Sequence, residues 1–258
     1  VAWTLITNDD GIESPGLHAL AEAALAAGHR VVVAAPAEQA SGAGTAITTT
    51  QRDGRVAISR RELPGLADVP VFAVAAQPAF IAFAAANGWF PEPPSLVLSG
   101  INAGANLGVA VMHSGTVGAA LTAGRFGVRA LAVSLDCDFT EPGERRWDAA
   151  TALLPPVLGA LTDAPAGTVL TLNVPNADPA GLGPPRPATL AERGLIATRV
   201  DDPRHDSVRV RLVRREGPIE PGSDAALLAA GHPTLTALRS VGEDRELPLA
   251  ALLRRSTP

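Results

Sequence analysis

Through its first two thirds the chain alternates short apolar runs with stretches of helical period. Residues 2–7 (Trp3, Leu5, Ile6) read as a strand, and 15–27 as a helix that stops at Gly28. Residues 30–35, with Val31, Val32 and Val33 in succession, predict a second strand closed by Pro36. Residues 36–48 carry neither period and predict a loop rich in Ala, Ser and Gly. A short edge strand is expected at 55–59, a further strand at 69–75, and a helix at 78–87 with Pro78 in its first turn. Then come a short apolar strand at 96–98, a glycine-rich segment at 99–108, and a helix at 116–126 that Ser114 can cap. Residues 130–135 read as a strand, 147–161 as a helix, and 168–174 as a strand ended by Pro175. Unbroken β-branched runs between helices belong to strands covered on both faces. The expected class is therefore α/β, with a doubly wound, mainly parallel sheet.

After Pro175 the pattern changes. Residues 176–187 form a Pro- and Gly-rich connector. Beyond it, Val208, Val210 and Leu212 alternate with Arg209, Arg211 and Arg214, the period of a half-solvated strand. A hairpin partner begins near Val200, across residues 201–206. Such an arm has too little apolar face to stand alone and must pack on the body or on another subunit. Residues 223–238 predict a helix followed by a final apolar segment, and the tail is polar. The expected organisation is one domain, 1–258. Residues 1–175 form the body, and 176–258 hold the connector, the protruding hairpin arm and a C-terminal extension.

Composition narrows the function. The chain has 258 residues, 47% hydrophobic, enough for a substantial core, and a net charge of −5 that argues against a duplex nucleic-acid binder. All 21 basic residues are arginine, so mechanisms that need a Walker lysine or a lysine Schiff base are excluded. The one cysteine, Cys137, permits neither an intrachain disulfide nor a thiolate cluster for zinc. Residues 69–91 carry no charge but are interrupted by Gln77, Pro78, Asn87 and Gly88, and a buried strand and helix explain them better than a membrane span. The chain opens at Val1 directly in a strand pattern, and a cytoplasmic location is expected.

Ligands of a doubly wound sheet bind outside the carboxyl ends of its strands, and three polar segments fall there: 8–11 (Asn-Asp-Asp-Gly), 39–44 and 99–106. Two adjacent aspartates beside an apolar core repel each other, and a divalent cation removes that penalty. Asp9 and Asp10 with the hydroxyl of Ser41 and an asparagine amide make an all-oxygen set suited to Mg²⁺ or Mn²⁺. An Asp-Asp pair is also a common turn or capping feature; the placement of all three loops at one sheet edge favours the metal. His113-Ser114-Gly115-Thr116 opens a helix whose free N–H groups can cradle phosphate, or whose serine is an ordinary cap. His113 stands close enough to touch a substrate.

Residues 5–12 (Leu-Ile-Thr-Asn-Asp-Asp-Gly-Ile) with Pro15-Gly16, Val33-Ala34-Ala35-Pro36 through Ser41-Gly42, 99–108 (Ser-Gly-Ile-Asn-Ala-Gly-Ala-Asn-Leu-Gly) and Ser114-Gly115-Thr116-Val117 strongly resemble the SurE family of survival-protein nucleotidases. Leu172-Asn173-Val174-Pro175 and Gly222-Ser223-Asp224 resemble its later motifs. The resemblance implies a Rossmann-like body with a protruding hairpin, and a C-terminal segment exchanged in homodimers or homotetramers. It also implies one divalent ion, Mg²⁺ or Mn²⁺, held by Asp9, Asp10, Ser41 and Asn102. The implied activity is hydrolysis of nucleoside 5′- and 3′-monophosphates, in some members also of short polyphosphate, by metal-activated water. Asp9, Asp10 and Asn102 are then the catalytic set, either aspartate orienting the water. Asn8, Gly42, Asn106, Ser114, Gly115 and Thr116 are expected on the substrate phosphate. An aspartyl-phosphate route and a non-catalytic nucleotide-binding scaffold are the rival readings. The sequence departs from the family pattern at Ala76-Gln77-Pro78, Phe80, His113, Thr122 and Gly231-His232-Pro233, which bears on base preference and subunit contacts more than on the reaction.

Overall fold

The computed structural model describes residues 2–40, 42–137, 143–192, 196–201, 209–214, 219–241 and 247, with 196–201 and 210–214 described by backbone alone. The chain first forms β1 (Thr4–Thr7), α1 (Pro15–Ala26), β2 (Val31–Pro36), β3 (Gln51–Arg52), β4 (Arg55–Val56), β5 (Ile58–Arg61) and β6 (Val71–Val74). There follow α2 (Pro78–Ala86), β7 (Leu96–Ala103), a 3-10 turn (Gly108–His113), α3 (Gly115–Arg125) and β8 (Arg129–Asp136). The rest comprises α4 (Trp147–Thr151), α5 (Leu154–Asp163), β9 (Val169–Pro175), β10 (Arg186–Pro187), β11 (Ile196–Asp201), β12 (Arg209–Arg214), α6 (Asp224–Ala229) and β13 (Thr234–Leu238).

Among the described residues, nine strands join one sheet in the order β10-β13-β9-β8-β7-β1-β2-β6-β5. The strands from β9 to β6 in that order are all parallel, and the antiparallel neighbours β13 and β5 flank them. The chain winds outward from β1 in one direction to β6, then resumes at β7 on the other side of β1. The switch point therefore falls between β1 and β7, which is where a crevice opens in such sheets.

Alternation along the strands divides the core between two faces. Ile6, Val33, Leu98 and Leu131 pack with Leu17, Leu20, Leu154 and Leu161 of α1 and α5. Leu5, Val32, Val97 and Ala130 face the small residues of α2 and α3, among them Ile81, Ala82, Val117 and Ala120. Burial on both faces is why these strands read as continuous apolar runs. No helix among the described residues is long and apolar enough to cross a membrane. The uncharged stretch from residue 69 is β6 and α2.

Several element boundaries differ from the sequence reading. Strand β7 does not stop at Leu98 but continues to Ala103, with a register shift between Ser99 and Asn102. Gly100 makes this possible: its φ is +139°, and a Cβ there would collide with the Val133 carbonyl. The helix expected over 147–161 is two helices, broken at Ala152–Leu153, because Pro155 and Pro156 have no N–H for the preceding turn. The edge strand expected at 55–59 divides at Ala57: β4 pairs with β3, and β5 lies antiparallel on β6. The final apolar segment is β13, and it returns to the main sheet beside β9. Strands β11 and β12 pair with each other from Ile196↔Arg214 to Asp201↔Arg209, as a separate two-stranded sheet. The turn expected after residue 201, Val208, Ser41 and the polar tail lie outside the described residues, Leu247 apart.

Candidate active site

The carboxyl ends of β1 and β7 meet at the switch point, and side chains there are spent first on fixing the loops. Asn8 is fully buried. Its amide donates to the Gly11 carbonyl (3.1 Å) and to Ser14 Oγ (2.6 Å), and its Oδ1 accepts from Gly11 N (3.2 Å). Ser14 in turn caps α1 by accepting from Leu17 N (3.3 Å). The structure thus uses Asn8 as the clamp of the Asp9–Asp10 loop.

Asp9 is only 6% exposed. Thr116 Oγ1 donates to its Oδ1, and the backbone N–H groups of Gly115 and Thr116 also bear on the carboxylate. A Cβ on Gly115 would lie 2.8 Å from both Cβ and Oδ2 of Asp9, so only glycine lets the helix start approach this closely. Burial pushes the Asp9 pKa up, against the pull of these hydrogen bonds. Asp10 is partly buried and accepts from Ala103 N (3.3 Å). Its pKa is raised by burial and then by the charge of Asp9, while the Ala103 amide and Arg145 act the other way. Asn102, just past the β7 bulge, donates its amide N–H to the Gly104 carbonyl (2.7 Å), which fixes the orientation of its carboxamide.

The loop after β2 and the start of α3 adjoin the Asp9 loop. Ala40 N donates to the Asp9 carbonyl (2.7 Å), which brings the segment leading to Ser41 against β1. Gly42 has φ +78° and open space where a Cβ would stand. Gly44 N donates to the His113 carbonyl (3.2 Å), and the Gly44 carbonyl occupies the place of a Cβ on Gly118, so this loop sits on the start of α3. Ser114 is the cap of α3, its Oγ accepting from Val117 N (3.1 Å). The hydroxyl proton remains free to donate to an anion.

Asn106 is held by contacts that the sequence did not assign. Asn173 Oδ1 accepts from Asn106 N (2.8 Å) and Asn173 Nδ2 donates to the Asn106 carbonyl (3.0 Å), the pair of hydrogen bonds of a β-bridge made by a side chain. Asn106 Nδ2 donates to Ser134 Oγ (2.8 Å), and Ser134 is the register partner of Asn102 on β8. Asp224, only 1% exposed, accepts from Gly108 N (2.8 Å) and Ala191 N (2.9 Å) and so ties the residue after the Asn106 loop to the later chain. The available signal for Asn173 was a polar residue inside an apolar strand, which is informative because buried polar groups need a reason.

The donor chemistry fits a hard cation. Asp9 and Asp10 are two desolvated neighbouring carboxylates, both with raised pKa values. Among the described residues no group of three or more His, Cys, Asp and Glu is placed to hold a metal ion, so an ion here would rest on these two carboxylates and on neutral oxygen donors.

In class, this is a doubly wound α/β protein whose sheet switch point carries an acidic, oxygen-only site backed by a helix N-terminus. The family model described as Survival protein SurE matches residues 4–194, and the chain belongs to the SurE family. It is 36% identical over 252 residues to a 5′-nucleotidase SurE of Solidesulfovibrio magneticus, covering 91% of this chain and 90% of the relative. A 5′-nucleotidase SurE of Symbiobacterium thermophilum is 43% identical over 176 residues, 68% of this chain and 66% of the relative. The crystal structure of the SurE protein from Aquifex aeolicus superposes with a TM-score of 0.80 at 24% identity, over 98% of this chain and 99% of that one, and shows the same fold.

Proposed function

We propose that this chain hydrolyses nucleoside 5′-monophosphates, and 3′-monophosphates as well, to nucleoside and phosphate with one divalent ion, Mg²⁺ or Mn²⁺. Family membership and the 5′-nucleotidase relatives support the reaction, and the observation that carries the site is the desolvated Asp9–Asp10 pair against the start of α3. Asp9, Asp10 and Asn102 would hold the ion, with Ser41 as the fourth donor. When bound, the ion lowers the pKa of water and offsets phosphate charge.

The chain's own groups supply the remainder. The start of α3 offers phosphate the Ser114 hydroxyl and the positive end of the helix dipole; its first backbone N–H groups are engaged by Asp9 and by Ser114 itself. The second amide N–H of Asn106 would add a further donor. Asn8, Asn173 and Thr116 hold these groups in place, which lowers the cost of orienting them during reaction. Outside the site, the arm formed by β11 and β12 pairs with no other strand among the described residues, which supports its use in a homodimer or homotetramer. A reducing, cytoplasmic setting suits the free Cys137.

Phosphate release from AMP and GMP, after chelation and again after adding Mn²⁺, tests the reading. Turnover that returns with Mn²⁺ is expected, and Asp9→Asn should abolish it while the far-UV circular dichroism stays native. Near-normal turnover of Asp9→Asn at saturating Mn²⁺ refutes the ligand assignment. Nucleotide binding without phosphate release would instead identify a scaffold.

A further inference from the structure

Beside the Asp9 loop lies a cavity of ≈ 420 Å³ that the proposed chemistry leaves unused. Its floor is the carboxyl ends of β2 and β6, and its walls are the segment around Glu38 and Ala40 on one side and Thr48 to Thr50 on the other. The walls are fixed by backbone bonds: Gln77 N donates to the Thr48 carbonyl (3.2 Å), Thr50 N to Ala75 (3.0 Å) and Ala37 N to Val74 (2.9 Å). The same Ala40 whose N–H holds the Asp9 carbonyl lines this cavity, so the cavity adjoins the Asp9 loop.

Gln77 lines the cavity from the start of α2. It stands at the capping position, yet its side chain makes no capping bond. Its Oε1 is buried and has no hydrogen-bond partner among the described residues. Buried amide oxygens are nearly always paired, and one left over beside a cavity is a group whose partner arrives from outside. A carboxamide carries an acceptor and two donors in one plane, the pattern that pairs with the edge of a nucleobase. The cavity volume falls in the range of small-molecule sites.

We infer that this cavity receives the base of the nucleotide and that Gln77 sets which base is preferred, with Glu38 as a second acceptor at the rim. The inference rests on the nucleotidase reading above.

The test is kcat/KM with Mn²⁺ for wild type, Gln77→Ala and Gln77→Glu on AMP, GMP, CMP, UMP and ribose 5-phosphate, which keeps sugar and phosphate but has no base. Wild type should rank the four nucleotides unequally. Gln77→Ala should lower the best of them by about tenfold or more and narrow the spread, leaving ribose 5-phosphate within about twofold. Gln77→Glu, of the same shape but without the N–H donors, should reorder the panel. A parallel change on all five substrates, or an unchanged spread in both variants, overturns the inference while leaving the nucleotidase reading intact. A wild type inactive on all five overturns that reading and this one with it.

Discussion

Thr116 Oγ1 donates to Asp9 Oδ1 across 107 positions of sequence, and both residues are buried. The bond joins the end of the first strand to the first turn of α3, and it fixes which carboxylate oxygen faces inward. Thr116→Val keeps the shape and removes the donor. The expected loss is about 1–3 kcal/mol of stability, because the carboxylate is left buried with an unmet acceptor. If Asp9 holds the ion as proposed, activity should fall about 10- to 100-fold, with a higher Mn²⁺ concentration needed for half-maximal rate, since the partner of a metal ligand sets its orientation. Thr116→Ser should recover most of both. Urea titration and Mn²⁺ titration of the rate check the two parts separately.

Gly115→Ala brings opposite effects into conflict, and magnitude decides between them. In a helix, alanine outranks glycine by about 1 kcal/mol on propensity. Here the added methyl would stand 2.8 Å from Asp9 Cβ and Oδ2, and overpacking of that kind costs about 1–3 kcal/mol or more. The variant should therefore be less stable than wild type and nearly inactive, because relief of the clash displaces Asp9. A thermal melt with a midpoint at or above that of wild type would show that α3 can retreat without cost.

The fold was legible because its strands are buried on both faces and its helices begin at Pro15, Pro78 and Ser114, each signal strong on its own. The site loops were legible for a similar reason: polar and glycine residues interrupt apolar runs at strand ends. What could not be read was the direction of side chains. Asn8 appears beside Asp9 in sequence as an equal candidate for phosphate, yet its amide is consumed by Gly11 and Ser14. Asn173 and Asp224 act on the site through backbone groups of Asn106 and Gly108, and no local pattern announces a partner 67 or 116 positions away. The bulge in β7 also escaped notice, since Gly100 reads as a loop glycine until the Val133 carbonyl is seen in the place of its missing side chain.

Asp224 gives the clearest test of support at a distance. Its Oδ2 accepts from Gly108 N, and its Oδ1 from Ala191 N and Ala225 N. Asp224→Ala orphans buried amides at about 1–3 kcal/mol each, partly recovered by relaxation. Asp224→Asn keeps one acceptor oxygen and turns an N–H₂ toward the other donors, so it should fall between wild type and alanine in stability. Because Gly108 begins the turn that leads to Ser114, both variants should lower kcat more than they raise KM. Steady-state kinetics beside a denaturant titration distinguish this from simple loss of folded protein.

The two aspartates also set an unusual dependence of stability on pH. Their pKa values lie above the ordinary 3.8 in the folded, metal-free protein, through burial and, for Asp10, the neighbouring charge of Asp9. Between the unfolded value and the raised folded value, the native state holds more protons than the unfolded one. Stability from these two groups is therefore fully present below about pH 4 and is lost as pH rises through their folded pKa values. A bound cation reverses the balance, since it requires both carboxylates ionised, and its stabilising effect should grow with pH across the same window. Melting curves from pH 4 to 8 with and without Mn²⁺, on wild type and on Asp9→Asn with Asp10→Asn, give the comparison. The double variant should lack both the metal-free decline and the Mn²⁺-dependent rise. If it kept either one, the pH dependence would have to come from carboxylates elsewhere in the chain.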